Sequence, residues 1–365
     1  MELSPIGRPL RTLDTPALLL DLDAFEFNVG LIAGCLRAQG VAWRPHAKAF
    51  KCPAIAHILM KAGAIGVTVA KVSEAEVMVA GGIDDVLIAH LVVGRSKADR
   101  LAALQRRGEV KVTADHPDHL APLASSARRA GVSIGVLVDV DLGMKRTGVA
   151  SPEAAAALAC LIAGSRGLRF DGIMGYEGHT LWIPDQDAKR AAIAEAIGRL
   201  NAARLAIEAV GLHCRLISAG GTGSYQITAN LAGPTELQAG GGVFACRYYT
   251  EVCRIAGHRP ALTVLSTIVA RPAPDRVILD IGMKSISDYK TPPVLVDHPD
   301  CHLLGLSAEH ATVAVPVDSS WQIGHKVSVV PGYSDLTFVL HDRVIGHRAG
   351  RVESVWELLG RGKLQ

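Results

Sequence analysis

The sequence lacks the cysteine spacing that a disulfide framework or a structural zinc site requires. Its seven cysteines are odd in number, scattered along 365 residues and free of any Cys-x-x-Cys pair. Small stapled domains and zinc modules depend on closely spaced cysteines, so this spacing argues against both and favours a reducing cytoplasm.

Long basic and long apolar runs are also missing. The net charge is only +3, with acidic and basic residues interspersed, which argues against a nucleic-acid or membrane-surface protein. No uncharged apolar run is long enough to span a bilayer, and the N-terminus shows no cationic start followed by an apolar core. We therefore expect a soluble cytoplasmic protein whose partner is a small molecule.

What is abundant is short apolar strand-like segments that alternate with helix-like segments. The chain is 49% hydrophobic, and its length fits two domains, one of which could be a barrel of about 250 residues. Repeated strand–helix units imply parallel pairing, so we predict an α/β fold with a (β/α)8 TIM-type barrel, and a doubly wound open sheet is the alternative. The expected strands are 17–21, 41–43, 66–70, 85–89, 110–113, 133–139, 168–174, 215–218 and 236–239.

The pattern changes near residue 256. From Pro260 onward apolar and polar residues alternate with period two and helical stretches are lacking, which predicts a C-terminal antiparallel β domain. We place the barrel at 15–255 and the β domain at 1–14 and 256–365. The expected strands of the β domain are 261–270, 276–280, 311–315, 326–330, 337–341 and 351–355.

A glycine-rich segment follows the predicted eighth barrel strand. Residues 218–224 read SAGGTGS, in which consecutive glycines let backbone N–H groups converge on an anion and the hydroxyls of Thr222 and Ser224 add donors. Its place late in the barrel is where such folds commonly bind phosphate. A flexible glycine turn is the competing interpretation.

Lys48 lies where the second strand should end, among the basic residues of the segment 44–53. A lysine in an electropositive pocket can lose its proton and form a Schiff base with an aldehyde, and Arg44, Lys71 and Arg146 would lower its pKa if they converged on it. Together with a phosphate cradle, such a lysine suggests pyridoxal 5′-phosphate. Lys51 competes for the role, but it falls in the turn or at the start of the next helix.

A set of segments spread over nearly the whole chain carries a resemblance, in the same order, to a known family. These segments are 15–23, 44–53, 71–75, 136–143, 220–224, 236–240 and 340–342. Together they resemble the D-threonine aldolase and D-serine dehydratase family. Enzymes of that family are similar in fold to bacterial alanine racemase, with a pyridoxal-phosphate barrel and a C-terminal β domain.

This resemblance implies roles for individual residues. Lys48 matches the Schiff-base lysine, Arg146 an arginine near the cofactor and Tyr176 a tyrosine that lines its ring. The further cofactor-binding candidates are Gly221, Thr222, Gly223 and Ser224 in the cradle, with Gln238 and Gly240 after the last strand. The implied activity is that of a lyase acting on β-hydroxy-D-amino acids. We favour retro-aldol cleavage to glycine and an aldehyde, and dehydration of D-serine or D-3-hydroxyaspartate is the alternative. The implied assembly is a homodimer.

One departure concerns the metal. The family typically has Pro-x-His-x-Cys or Pro-x-His-x-Asp near the C-terminus, but here Tyr333 replaces the histidine while Asp335 is kept. A neutral phenol is a poor ligand for a divalent cation, so Asp335 and Tyr333 could hold Mn²⁺, Mg²⁺ or Zn²⁺ only weakly. Alternatively Tyr333 transfers protons, as in an amino-acid racemase. His310, in a stretch that resembles the family's Asp-Glu-His run, is a further catalytic candidate.

Overall fold

The structure is a computed structural model that describes residues 4–365; residues 1–3, which belong to the predicted β domain, lie outside this range. Its strands are β1 (Ala17–Asp21), β2 (Ala42–Trp43), β3 (Val67–Val69), β4 (Asp85–Leu91), β5 (Glu109–Ala114), β6 (Ile134–Val140), β7 (Leu168–Gly175), β8 (Leu216–Ala219), β9 (Glu236–Leu237), β10 (Leu262–Ala273), β11 (Arg276–Leu279), β12 (Val294–Leu295), β13 (His302–Leu306), β14 (Ala311–Ala314), β15 (Lys326–Val330), β16 (Arg343–Arg348) and β17 (Arg351–Glu357). Its helices are α1 (Leu22–Ala38), α2 (Pro53–Lys61), α3 (Val72–Ala80), α4 (Arg95–Leu104), α5 (Leu120–Ala130), α6 (Pro152–Gly164), α7 (Gln186–Ala209), α8 (Tyr225–Thr228) and α9 (Ser334–Phe338).

The chain divides into two compact units. One contains residues 32–48, 53–240 and 362–365, and the other contains residues 1–31, 49–52 and 241–361. The predicted domains, 15–255 and 1–14 with 256–365, differ from these units mainly at residues 15–31 and 241–255.

Within residues 4–365, the first unit is built on eight parallel strands in the order β2-β9-β8-β7-β6-β5-β4-β3. Bridges from Trp43 to Ala64 and from His46 to Thr68 bring β2 back beside β3, so the sheet closes into a barrel. β6 is buried along its whole length, which explains its continuous apolar sequence. The predicted (β/α)8 barrel is confirmed.

Helices between the strands start and stop at capping residues. The Ser151 hydroxyl accepts a hydrogen bond from Ala154 N at 3.2 Å, with Pro152 in the first turn of α6. The Asp185 carboxylate caps α7 in the same way, and α5 ends at Gly131, whose φ of 67° suits a left-handed cap.

The second unit is a largely antiparallel sheet, which confirms the predicted β domain. The described strands follow the order β13-β14-β11-β10-β1-β16-β17, while β15 pairs with β10 and β12 pairs with β15. Part of its core is a stack of phenylalanines in which the Phe244 ring lies 4.7 Å from the Phe338 centroid and 5.9 Å from that of Phe25. β1 runs through a second apolar cluster that includes Leu19, Leu265 and Ile345.

Two strand predictions are wrong. β1 was predicted as the first barrel strand, but it pairs antiparallel with β10 and parallel with β16. A short apolar run is typical of any strand that is buried on both faces, so the sequence pattern of β1 does not indicate which sheet the strand joins. Residues 337–341, predicted as a strand, instead form the end of α9 and a turn, where the Thr337 hydroxyl donates to Tyr333 O at 2.9 Å.

No helix among the described residues combines the length and apolar character needed to cross a membrane.

Candidate active site at the barrel mouth

Lys48 lies in a short 3₁₀ turn, Ala47–Ala49, directly after the extended segment that continues β2. This segment is held on both sides, because His46 N donates to Gln238 O at 3.1 Å and Thr68 N donates to Pro45 O at 2.9 Å. The turn is closed by Lys48 N, which donates to Nδ1 of His46 at 3.3 Å. The lysine therefore projects from a backbone fixed at the carboxyl end of the barrel strands.

Tyr176 connects Lys48 with the glycine turn. Lys48 Nζ lies 5.9 Å from the centroid of the Tyr176 ring. The same ring is packed so closely on two glycines that a Cβ on Gly221 would lie 2.9 Å from its Cε2 and one on Gly178 2.5 Å from its Cε1. The glycines at these two positions therefore leave the space that the ring occupies.

The glycine turn after β8 is shaped by a buried carboxylate. Glu177, fully buried, accepts from Gly220 N at 3.3 Å and from the Thr228 hydroxyl at 2.8 Å. Gly220 has a φ of 69°, and Gly221 N donates to Oγ of Ser224 at 3.2 Å. Thr222 and Ser224 are both buried. This polar, glycine-lined turn, next to the Tyr176 ring, contains the backbone N–H and hydroxyl groups that a phosphate cradle uses.

Arg146 lies on the loop after β6, and carboxylates hold that loop in place. Asp141 accepts from Gly143 N at 2.9 Å and from Lys145 N at 3.0 Å. The Thr147 hydroxyl donates to Asp139 at 2.8 Å. Burial raises the pKa of Asp139 to about 6, against the hydrogen bond from Thr147 and the charge of Arg146, which lower it.

A cavity of about 290 Å³ brings the central residues together. Lys48, Arg146 and Tyr176 all line it, as the sequence predicts for the carboxyl end of a barrel. The other polar groups on its walls are His46, His90, Asp139, Asp141 and Thr147. Its size fits a small ligand with one aromatic ring.

Gln238 and Gly240 brace the strand that precedes Lys48. The Gln238 amide donates to Oγ of Ser218 at 2.9 Å, which ties the end of β9 to β8. A Cβ on Gly240 would overlap the carbonyl oxygen of His46, so the backbone there approaches as closely as glycine permits.

Arg44 does not join Lys48, contrary to the expectation. Its guanidinium is 1% exposed and is held by Glu236 at 2.9 Å and Asp85 at 2.7 Å. Lys111 Nζ adds a bond to Asp85 at 3.0 Å. The positive charge of Arg44 is thus compensated by two carboxylates, and of the three basic residues expected near Lys48 only Arg146 lines the cavity.

Lys51, the competing lysine, lies in the other compact unit. Its φ is 51°, and its carbonyl accepts from Gly360 N at 2.8 Å.

The β unit holds the remaining predicted residues. The Tyr333 hydroxyl donates to Asp335 Oδ2 at 2.9 Å, and the Ser334 hydroxyl donates to Oδ1 at 3.3 Å. Three further tyrosine rings surround Tyr333 with centroids 5.3 to 5.9 Å away; they are Tyr248, Tyr249 and Tyr289. His310 lies exposed in the turn between β13 and β14, where its carbonyl accepts from Ser307 N.

Two features of these sites were not predicted. His90 lines the cavity and lies near the end of β4, so the rule that barrel chemistry sits at carboxyl strand ends would have found it. The tyrosine cluster gave no sequence signal, because the neighbours Tyr248 and Tyr249, Tyr289 and Tyr333 come from three separate segments of the chain.

The comparisons with known proteins agree with this geometry. Residues 20–247 match the family model "Alanine racemase, N-terminal domain", and residues 261–347 match "Putative serine dehydratase domain". D-threonine aldolase of Arthrobacter sp. is 38% identical over 98% of this chain and 95% of its own length. 3-hydroxy-D-aspartate aldolase of Paracoccus denitrificans is 34% identical over 96% of this chain and 93% of its own length. The crystal structure of D-threonine aldolase from Filomicrobium marinum superposes with a TM-score of 0.96 at 36% identity, covering 99% of this chain and 100% of that one.

The barrel, its mouth lysine and the β domain define an enzyme of the alanine-racemase fold class, known as fold type III of the pyridoxal-phosphate enzymes. Within that class, the chain belongs to the family of D-threonine aldolases and their dehydratase relatives. Family membership implies pyridoxal phosphate as cofactor.

Proposed function

We propose that this enzyme is a pyridoxal-phosphate-dependent lyase that cleaves a β-hydroxy-D-amino acid into glycine and an aldehyde. The observation that supports this most is the cavity that brings Lys48, Tyr176 and Arg146 together. The relatives named above as aldolases match nearly the whole chain. A cofactor domain and a separate β domain, near the boundaries expected from the sequence, are part of the proposal.

The residues at the barrel mouth fit the cofactor. Lys48 would hold its aldehyde carbon, and the Tyr176 ring would lie against its pyridine ring. The turn of Gly221, Thr222, Gly223 and Ser224 would take its phosphate through N–H and hydroxyl donors. When bound, pyridoxal phosphate supplies an electron sink for charge that develops at the amino acid's α carbon.

The chain's own groups have positioning and proton-transfer roles in this proposal. Lys48, once released from the cofactor, is the base or acid at the α carbon. Arg146 binds an anionic group, and the loop contacts of Asp139 and Asp141 hold it in place. Gln238 and Gly240 fix the strand that presents Lys48. Tyr333, with Asp335 as its hydrogen-bond acceptor, takes the proton of the substrate's β-hydroxyl, and His310 is retained as a further catalytic candidate on the resemblance alone.

The donors around Asp335 do not fit a divalent metal well. Asp335 supplies one carboxylate, and both of its oxygens accept hydrogen bonds from hydroxyl groups. Among residues 4–365, no group of three or more His, Cys, Asp or Glu side chains is placed to hold a metal ion. We derive no step through a metal, and the prediction that Asp335 and Tyr333 hold Mn²⁺, Mg²⁺ or Zn²⁺ is tested by chelation with Mn²⁺ add-back. Undiminished activity in chelator contradicts it.

Two alternative activities have support of their own. Dehydration is suggested by the serine dehydratase match of residues 261–347. Racemisation is suggested by Tyr333, because a phenol, whose ordinary pKa is about 10, can exchange a proton at neutral pH when nearby positive charge stabilises the phenolate.

Product analysis separates the three activities. D-threonine, D-phenylserine and D-3-hydroxyaspartate are each incubated with the holoenzyme. Glycine with an aldehyde supports the proposal, a keto acid with ammonia supports dehydration, and loss of optical rotation without a new product supports racemisation.

The lysine assignment has its own control. Lys48→Ala should abolish the imine absorption band that forms with pyridoxal phosphate, while Lys51→Ala should keep it. The reverse result would show that Lys51 holds the cofactor.

The assembly and location remain part of the proposal. The substrate is a small amino acid. A homodimer and a cytoplasmic location are our expectations, and light scattering of the purified holoenzyme would test the dimer.

A further inference from the structure

A histidine on the wall of the barrel cavity and a lysine that contacts it have no role in the proposal so far. His90, near the end of β4, lines the same cavity as Lys48. Its Nε2 is 3.2 Å from Nζ of Lys71, the residue that caps the start of α3. The contact thus brings an amine to an imidazole that lines the same cavity as Lys48.

The contact bears on the tautomer of His90. A lysine ammonium has three donors and no acceptor, so opposite an ammonium Nε2 of His90 accepts and the ring carries its proton on Nδ1. The surroundings favour this state: burial, followed by the charges of Lys71, Lys97 and Arg146, lowers the pKa of His90, against Glu74, which raises it. Nδ1–H and the remaining ammonium protons are donors that an anion can use.

The carboxylates near this pair are engaged with other groups. Glu74, in the first turn of α3, accepts backbone hydrogen bonds from Ala70 N at 2.7 Å and Lys71 N at 3.0 Å. Asp141 accepts from two loop N–H groups, and Asp139 accepts from the Thr147 hydroxyl. Around His90 itself, the positive charges of Lys71, Lys97 and Arg146 outnumber the one opposing carboxylate, Glu74.

We infer that Lys71 and His90 bind a second carboxylate of the substrate, on its β carbon, and so select β-hydroxy-D-amino dicarboxylic acids over substrates with a methyl or phenyl group there. This inference rests on the proposed lyase function and deepens it. An α-carboxylate is common to all candidate substrates and cannot be selective, whereas a β-carboxylate is present only in the dicarboxylic ones.

The test compares substrate preference between variants. We expect Lys71→Met to lower kcat/KM for D-3-hydroxyaspartate about 10- to 100-fold more than for D-threonine, because a hydrogen bond to a charged group is lost. His90→Asn should shift the ratio in the same direction. Lys97→Met is the matched control: it removes another positive charge near His90, one that acts on that ring through its charge rather than through a 3.2 Å contact like that of Lys71, and the ratio should stay within about 2-fold.

A binding measurement keeps the inference testable if no substrate is cleaved. D-aspartate and D-alanine are titrated against the imine absorption band of the holoenzyme, and D-aspartate should shift the band at the lower concentration only when Lys71 is present. An equal loss for both ligands in Lys71→Met would mean an α-carboxylate role, and weaker pyridoxal-phosphate binding would mean a phosphate role. Either result, or an unchanged preference, would overturn the inference, whereas failure to form glycine alone would overturn only the proposed function.

Discussion

Thr228 donates its hydroxyl proton to the fully buried Glu177 across 2.8 Å, and the other oxygen of that carboxylate accepts from the backbone of Gly220. Replacing Thr228 by valine keeps the shape but removes the donor. We expect a loss of about 1 to 3 kcal/mol in the free energy of unfolding, because a buried acceptor is left unsatisfied. Thr228→Ser retains the hydroxyl and should lose less in urea unfolding. Equal losses for both variants would show that the methyl group matters rather than the bond.

Gly221→Ala should weaken cofactor binding without unfolding the barrel. The new Cβ would lie 2.9 Å from Cε2 of Tyr176, so the ring must shift from its present position. Fluorescence titration with pyridoxal phosphate should show about a 10-fold or larger increase in Kd, since a 1.4 kcal/mol loss has that effect. Gly198→Ala in α7 is the control, because nothing lies within 4 Å of its added Cβ and alanine favours a helix. Unaltered affinity in Gly221→Ala would mean that the ring is not positioned by this contact.

Asp139→Asn should change how stability depends on pH. Burial raises the folded-state pKa of Asp139 to about 6, above about 3.9 for an unfolded aspartate. Because the folded protein holds this proton more tightly, ionisation of Asp139 costs stability as pH rises from about 4 to 6, up to about 3 kcal/mol above pH 6. The asparagine keeps an acceptor for Thr147, so the variant should be the more stable protein at pH 7.5 and gain nothing at pH 4.

Urea unfolding at the two pH values measures this difference. Asp187→Asn is the control, since its side chain is 99% exposed, and it should show no comparable pH dependence. A stability gain of Asp139→Asn that is equal at both pH values would contradict the shifted pKa.

Arg44→Met should destabilise the barrel strongly. The substitution leaves Glu236, which is 1% exposed, and Asp85 without their shared cation. Removing one partner of a buried ion pair costs about 3 to 5 kcal/mol. Arg190→Met, at an exposed pair on α7, should cost less than about 0.5 kcal/mol. If both variants unfold at similar urea concentrations, the buried network contributes little to stability.

The sequence predicted the site correctly for reactive side chains that directly follow a barrel strand. Lys48, Arg146 and Tyr176 each follow a barrel strand, so topology alone predicted that they meet, and the cavity contains all three. Arg44 precedes Lys48 by only four residues, yet it pairs with Glu236 and Asp85. Residues four apart on one strand share a face, so strand periodicity does not separate these two side chains. The chain turns into a 3₁₀ helix at Ala47–Ala49, and the partners of Arg44 lie on β4 and β9.

The errors have a similar origin. β1 has the apolar sequence of a strand buried on both faces, and only long-range pairing with β10 and β16 shows which sheet it joins. The alternation in residues 337–341 predicted a strand, but the contacts around Tyr333 start a helix there. The tyrosine cluster forms only when three distant segments come together, so no local sequence pattern predicts it.

The division of the chain has a practical consequence for protein engineering. Along the sequence, membership of the two compact units changes after residues 31, 48, 52, 240 and 361. Lys48 and Lys51 are three residues apart but belong to different units. No single cut therefore releases either unit whole, and a chimera that exchanges the β unit with a relative must graft several separate pieces, one of them the short stretch 49–52 that directly follows Lys48.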